Sequence, residues 1–370
     1  MPQPPVTRTI DLFAGAGGLT EGLRQASEDF SPVAAVEMDL ASAATYVQNH
    51  DDVVHVGDII EWVEAGNVPE ADVVVGGPPC QGFSRLNRSR EGDQRNQLWR
   101  YYMETVKRAQ PKYFVLENVA AMFASPEFDD LQSAFSPGEL LEDYVIESGV
   151  LNSADFGAPQ ARRRAIVVGS RRDVTPAALP RPTHRRDEWV PASAVFDRTE
   201  PQVSRTELDQ TRWTHFRGES IQGAYSTREL HITRQYQKLS LDRFKAIPPG
   251  GNRFNLPVEL QARCWIEHKR GATDVMGRMH LDKPSVTVRT EFFKPEKGRY
   301  IHPTENRAIT HREAALLQGF PDHYGWLGTK NEIARQIGNA VPVPLGAAIG
   351  RSLVDALEGR TPLPPVNALF

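Results

Sequence analysis

The 370 residues are 40 % hydrophobic and 24 % charged, which is enough apolar material for a real core and excludes an intrinsically disordered chain. Two cysteines, Cys80 and Cys264, are too few for a disulfide framework or a thiolate zinc site; they fit a reducing cytosol, and no metal is expected. The net charge of −4 does not point to a polyanionic partner, and neither a signal peptide nor an apolar run of roughly 18 residues for a membrane helix is visible.

After a lead-in of six residues with three prolines, short β-branched runs alternate with helix-like segments. Thr9 to Phe13 predicts a strand, Leu19 to Ala26 a helix, Val33 to Glu37 a strand and Ala41 to Asn49 a helix. Val53 to Val56 and Asp72 to Val75 predict two more strands, Asn96 to Arg108 a helix and Tyr113 to Leu116 a fifth strand. This alternation predicts an α/β fold with a doubly wound, largely parallel sheet. After Phe156 the rhythm breaks. Residues from about 180 to 300 are rich in Pro, Gly, Arg and Thr and contain the turn-like Ile247-Pro248-Pro249-Gly250-Gly251, which predicts a second, smaller, irregular domain. Periodicity returns at Thr310 to Gln318, and Asn331 to Leu357 reads as helical around a break at Gly338 to Pro344.

Between the first strand and its helix runs Asp11-Leu12-Phe13-Ala14-Gly15-Ala16-Gly17-Gly18. Glycines there let the backbone come close to a ligand, and Glu37, about 20 residues on, ends the second strand where a carboxylate holds ribose hydroxyls. Asp58 stands where it would take an adenine amino group. A tight strand-to-helix turn without a ligand fits the glycines alone; the pairing with Glu37 favours a nucleoside-containing cofactor. The third glycine of Gly-x-Gly-x-x-Gly is missing, which disfavours a dinucleotide and favours S-adenosylmethionine.

The fourth strand runs into Gly76-Gly77-Pro78-Pro79-Cys80-Gln81-Gly82-Phe83-Ser84, a stiff loop with a thiol at its tip, at the end of the sheet where open α/β proteins bind ligands. Cys264 has no such setting and is expected to be packing. The fifth strand ends in Leu116-Glu117-Asn118-Val119. A thiolate and a carboxyl facing one pocket are what methylation of cytosine C5 demands: the thiolate adds to C6, and the acid supports N3. Glu117 also reads as a helix N-terminal acid and Asn118 as a turn residue, and both alternatives stay open. Between Arg162 and Arg186 lie eight arginines and one acid, Asp173, either a solvated loop or a phosphate-binding strip.

With these segments in place, the sequence resembles the DNA cytosine-5 methyltransferase family, of the bacterial restriction–modification type. Asp11 to Gly18, Glu37 to Asp39, Gly57-Asp58-Ile59, Pro78-Pro79-Cys80-Gln81, Glu117-Asn118-Val119, Gln160 to Arg164, Thr310 to Pro321 and Gln336 to Pro342 match it in order. The resemblance implies a Rossmann-like methyltransferase sheet. It assigns residues 1–180 to the catalytic and cofactor-binding domain, 181–325 to target recognition and 326–370 to a C-terminal helix completing the catalytic domain.

It further implies Cys80 as the C6 nucleophile, Glu117 at N3 and the exocyclic amine, and Arg162 and Arg164, pointing the same way along a strand, at the base, with Arg164 the partner of O2. Phe13, Gly15, Gly17, Leu19, Glu37, Met38, Asp58 and Ile59 would line the S-adenosylmethionine site, Pro78 and Asn339 would close it, and Leu98 would pack on the adenine. Ser84, Arg85 and Arg88, in the loop after Cys80, would touch double-stranded DNA around a flipped-out cytosine. Arg212, Trp213, Arg217, Arg228, Arg253 and Arg289 would reach bases or phosphates. A monomer is expected, with a cognate restriction endonuclease as a candidate partner. A tRNA-acting member of the family is the nearest alternative, against which stands the lack of a Cys-Phe-Thr motif. A non-enzymatic DNA-binding relative and a NAD-dependent oxidoreductase are the more distant ones.

Overall fold

Apolar strands and capped helices alternate along the first part of the chain, in a computed structural model that describes residues 6–79, 98–267 and 273–360. The elements are β1 (Thr7–Leu12), α1 (Gly18–Ala26), β2 (Phe30–Glu37), α2 (Leu40–Asn49), β3 (Val54–Val56), α3 (Ile59–Glu64), β4 (Val73–Gly76), α4 (Leu98–Ala109), β5 (Tyr113–Val119), α5 (Pro126–Ser133), β6 (Tyr144–Asn152) and β7 (Arg163–Arg171). The sheet order is β3-β2-β1-β4-β5-β7-β6. The first four neighbouring pairs, from β3 to β5, are parallel. Strand β7 inserts antiparallel between β5 and β6.

Burial on both faces explains the composition of the central strands. Val73, Val74 and Val75 of β4, Ile10 and Leu12 of β1, and Phe114 and Val115 of β5 are fully buried, so these strands are apolar runs rather than alternations. Side-chain caps start the helices that follow: Asp39 accepts from the Ser42 N–H at 3.0 Å and Asp58 from the Ile60 N–H at 2.9 Å, each satisfying a backbone donor that has no partner within the helix.

The chain divides into two units. The first holds the sheet just described, up to Asn152 and again over Arg163–Pro182, and resumes at Val343. The second holds Ser153–Arg162 and Thr183–Pro342. Its elements are α6 (Ser193–Phe196), β8 (Trp213–Phe216), β9 (Glu219–Ser226), α7 (Lys238–Ala246), α8 (Arg263–Glu267), α9 (His311–Leu317), β10 (Gly325–Leu327) and α10 (Lys330–Asn339). The stretch expected to be irregular thus contains the β8–β9 hairpin, which β10, further along the chain, extends to a three-stranded antiparallel sheet ordered β10-β9-β8. Its β8–β9 hairpin turns at Arg217-Gly218, both at positive φ (51° and 88°), the geometry that suits a two-residue loop to strand twist. Buried charge is paired here: Arg307 grips Glu313 at 2.6 and 2.9 Å. Arg278 donates to the carbonyls of Phe244, Ile247, His302 and Glu305. Residues 326–342, expected with the first domain, pack with this second unit, and only from Val343 does the chain return.

The returning helix, α11 (Val343–Leu357), lies along α1. A Cβ at Gly22 would stand 2.6 Å from Gly346 Cα and 2.8 Å from the Ala347 nitrogen, so only glycine permits this approach of the two backbones. Among the described residues no single helix is long and apolar enough to cross a membrane.

Candidate active site and cofactor cleft

In the first unit the chain leaves β1 to build β2 and β3 on one side and later builds β4 and β5 on the other. The strand order reverses between β1 and β4, and the carboxyl ends of those strands frame the crevice where open α/β sheets take ligands. The loop after β1 carries Phe13, Gly15 and Gly17 at φ of 57°, 56° and 84°. A Cβ on Gly15 would meet nothing within 4 Å, so the backbone there borders open space. The Gly15 N–H donates to Glu37 Oε2 at 2.8 Å, and the Asp39 N–H donates to Glu37 Oε1 at 2.7 Å. Burial pushes the Glu37 carboxyl above its usual range, against these two hydrogen bonds, which favour the ionised form.

Beneath that loop Asp11 is buried and accepts from Thr20 Oγ1 at 2.6 Å; Thr20 Oγ1 also lies 3.2 Å from the Tyr46 hydroxyl. Burial raises the Asp11 pKa to about 7, with the Thr20 hydrogen bond opposing and the charge of Glu37 reinforcing. The remaining side chains expected at the cofactor take three kinds of place. Met38 is 73 % exposed beside Glu37, and Asp58 caps α3. Leu19 and Ile59 are buried, Ile59 in the hydrophobic core, while Phe13 and Leu98 pack on that core half-buried. Asn339 is exposed at the end of α10, in the second unit.

At the end of β4, Pro78 is buried, and its carbonyl accepts from Asn118 Nδ2 at 2.9 Å. The side-chain Oδ1 of Asn118 in turn accepts from the Val119 N–H. Asn118 is therefore a buried tether between β5 and the loop leading to Cys80, not a simple turn residue. Glu117 lies within β5, not at a helix N-terminus. A Cβ on Gly77 would stand 2.8 Å from Glu117 Oε2, so glycine there leaves the carboxylate its room. From β7, Arg164 Nε meets Glu117 Oε1 at 2.7 Å, with both side chains 13 % exposed. The antiparallel register that places Val119 opposite Arg164 brings this pair together.

Arg162 does not share that arrangement. The expected strand alternation fails because β7 begins at Arg163; Arg162 belongs to the second unit, is buried, and donates to the carbonyls of Val288 (2.8 Å) and Gly338 (3.0 Å). Cys264, expected in packing, is exposed. In the arginine strip, Arg171 is held by Asp173 and the Gln110 carbonyl, Arg172 by the Glu142 carbonyl and Arg185 by Glu188. Of the side chains expected at bases or phosphates, Arg212 pairs with Glu229 at 2.5 Å and Arg253 is buried, while Trp213 is 61 % exposed. Cys80, Ser84, Arg85 and Arg88 lie outside the described residues.

The ordered segments in this geometry have a direct counterpart among known proteins: the model of the C-5 cytosine-specific DNA methylase family matches residues 7–355. The chain belongs to that family. Relatives include the Type II methyltransferase M.XorII of Xanthomonas oryzae pv. oryzae, 34 % identical over 96 % of this chain and 86 % of its own length. M1.HphI of Haemophilus parahaemolyticus is 32 % identical over 93 % of this chain and 86 % of its own. Among solved structures, an E. coli prophage protein described as a DNA modification methyltransferase superposes with a TM-score of 0.71 at 24 % identity, covering 95 % of this chain and 99 % of its own. That similarity speaks for the fold. This C-5 cytosine-specific DNA methylase is thus an enzyme of the DNA (cytosine-5-)-methyltransferase class and of restriction–modification type, and its relatives do not favour the tRNA alternative.

Proposed function

We propose that this methylase transfers the methyl group of S-adenosylmethionine to C5 of a cytosine flipped out of a specific duplex sequence, through a covalent bond between Cys80 and C6. The observation that carries the reading is the half-enclosed Glu117–Arg164 pair at the carboxyl end of β5, beside the loop that leads to Cys80.

The cleft fits the cofactor. Open space at Gly15 and the positive-φ loop leave room at the backbone, Glu37 offers a carboxylate suited to ribose hydroxyls, and the exposed Met38 offers an apolar face. Phe13, Gly17, Leu19, Asp58, Ile59, Pro78 and Leu98 complete the proposed site within the first unit. When bound, S-adenosylmethionine supplies an electrophilic methyl group on a sulfonium. The chain's own residues do the rest. The Cys80 thiolate adds to C6 and turns the ring into an enamine, while the Glu117 carboxyl hydrogen-bonds N3 as negative charge develops there. Arg164 fixes the position of Glu117, and Asn118 and Gly77 fix the loop against it. After methylation at C5, loss of the C5 proton and expulsion of the thiolate restore the aromatic ring.

Residues 1–180 and the returning helix serve catalysis, and 181–325 serves target recognition, in a monomer that acts on DNA in the cytosol beside a cognate endonuclease. Ser84, Arg85 and Arg88 contact the DNA around the flipped base, and Arg162 holds together the backbone at Val288 and Gly338 in the second unit. The test is mass spectrometry of nucleosides from mixed-sequence DNA incubated with the methylase and S-adenosylmethionine. 5-Methyldeoxycytidine is expected with the wild type and none with Cys80→Ser, whose cofactor affinity stays unchanged. Turnover in Cys80→Ser would rule out the covalent route.

A further inference from the structure

The loop between β1 and α1 closes partly on the chain's own backbone. The Ala14 N–H donates to the Val36 carbonyl at 3.1 Å and the Gly17 N–H to the Ala14 carbonyl at 2.9 Å. Gly17 stands at φ 84° and ψ 21°, directly before α1, and no side chain caps the helix there. Glycines at 15 and 17 give this short segment a backbone freedom that a bound ligand has to freeze out. Affinity therefore gains when the loop is ordered beforehand. Two side chains at the end of α2 supply that order.

Tyr46 is the first. Its hydroxyl lies 3.2 Å from Thr20 Oγ1, which donates to Asp11, so α2 clamps the end of β1 to the first turn of α1. His50, the residue that ends α2, is the second. It is buried, with its ring 4.8 Å from that of Tyr46. Arg24 Nη1 lies 3.4 Å from His50 Nδ1. A guanidinium can only donate, so Nδ1 is the acceptor and the ring hydrogen sits on Nε2. The imidazole is hydrogen-bonded to the Gly17 backbone in the sense that favours its protonated form, which is an N–H donated to the Gly17 carbonyl. That carbonyl also accepts the Glu21 N–H at 2.8 Å. Burial first, and the charge of Arg24 second, lower the His50 pKa to about 4, so the ring is neutral at neutral pH and keeps this tautomer.

We propose that His50 is a positioning residue for the methyl donor: its Nε2–H holds the Gly17 carbonyl and keeps the glycine loop in the shape that receives S-adenosylmethionine. The role rests on the reading of this cleft as the cofactor site. His50 acts through Gly17 rather than on the reacting atoms, so its effect falls on cofactor affinity. A ring that merely filled space would be replaced by phenylalanine without loss.

Calorimetric titration with S-adenosylmethionine, together with hydrogen exchange of the cofactor-free protein, tests this on wild type, His50→Phe and His50→Gln. Phenylalanine keeps a ring against Tyr46 but has no N–H, whereas glutamine brings an amide N–H to nearly the reach of Nε2. His50→Phe is expected to raise the dissociation constant about fivefold, the equivalent of one ordinary hydrogen bond. It is also expected to speed exchange of the Ala14, Gly15 and Gly17 amides, all hydrogen-bonded in the ordered loop. His50→Gln is expected to bring both readings back towards wild type. Arg24→Met, at an exposed position, frees the ring to carry its hydrogen on Nδ1 and is expected to weaken binding by a smaller factor, which keeps the test open should His50→Phe fold poorly. Unchanged affinity in His50→Phe, or a loss that His50→Gln does not recover, overturns the proposal. Absence of binding by the wild type overturns the reading of the cleft, whereas unchanged loop exchange in His50→Phe overturns the hold on Gly17, so the two failures are read separately.

Discussion

At the scale of single residues, the carboxylates of the first unit differ sharply in their surroundings. Glu117 has a guanidinium at 2.7 Å, whereas Asp11 accepts a hydrogen bond from the Thr20 hydroxyl and is driven to a pKa of about 7 by burial. In the mechanism we propose, the Glu117–Arg164 contact positions Glu117. Arg164→Ala is expected to lower the single-turnover methylation rate by roughly 10²-fold, the lower end of what an oriented acid contributes, while the dissociation constant of S-adenosylmethionine stays within about twofold of wild type.

Asp11 gives a prediction of opposite character, on stability. Its folded pKa lies above the ordinary value of 3.8, so the folded state holds the proton more tightly between about pH 4 and about pH 7. Raising the pH through that window therefore removes stability. His50, His302 and His311, whose pKa values burial lowers to about 4, act the other way. They lose stability as the pH falls from about 6.5 towards 4. The Asp11 contribution is isolated by comparison with Asp11→Asn: urea denaturation across the window should show the variant gaining relative to wild type as the pH rises. A constant difference from pH 4 to 7 would contradict the assignment.

At the scale of elements, the parallel strands were legible because a strand buried on both faces is an uninterrupted apolar run, as in Val73-Val74-Val75. Strand β6 was not, because as an edge strand all of it beyond Tyr144 is exposed or half-buried, and it mixes polar and apolar residues. Strand β7 carried a visible signal in Ala165-Ile166-Val167-Val168, fully or nearly fully buried; the surrounding arginines obscured it. Helix α3 has only six residues, too few for a periodic pattern. The contact of α1 with α11 joins elements more than 300 residues apart and leaves one local trace, the glycines at its closest approach. Gly22→Ala pushes a methyl against the Gly346 backbone, which cannot give way as a side chain would. Overpacking of this kind costs about 1–3 kcal/mol, and a melting temperature lowered by several degrees is the expected result.

At the scale of the whole molecule, a net charge of −4 requires DNA binding to rest on local cation clusters rather than on overall attraction. Several arginines of the sequence's basic strip are already held by carboxylates or carbonyls, so few remain for phosphates. With about three phosphate contacts, affinity for duplex DNA should fall by tens-fold between about 50 mM and about 200 mM salt. A slope near zero in the plot of log affinity against log salt would show that phosphates contribute little.

The sequence by itself determined the alternating strand–helix core, the glycine loop with its acid about 20 residues on, and the family, because each is encoded in contiguous stretches with a period or a motif. Only the tertiary structure decided that β7 runs antiparallel and sets Arg164 against Glu117, and that Arg162, two residues earlier, is committed to the carbonyls of Val288 and Gly338. It also decided that His50, at the end of α2, meets the backbone of Gly17. Those relationships join residues tens to more than a hundred positions apart. They depend on register and on packing, neither of which is written in any local window of the chain.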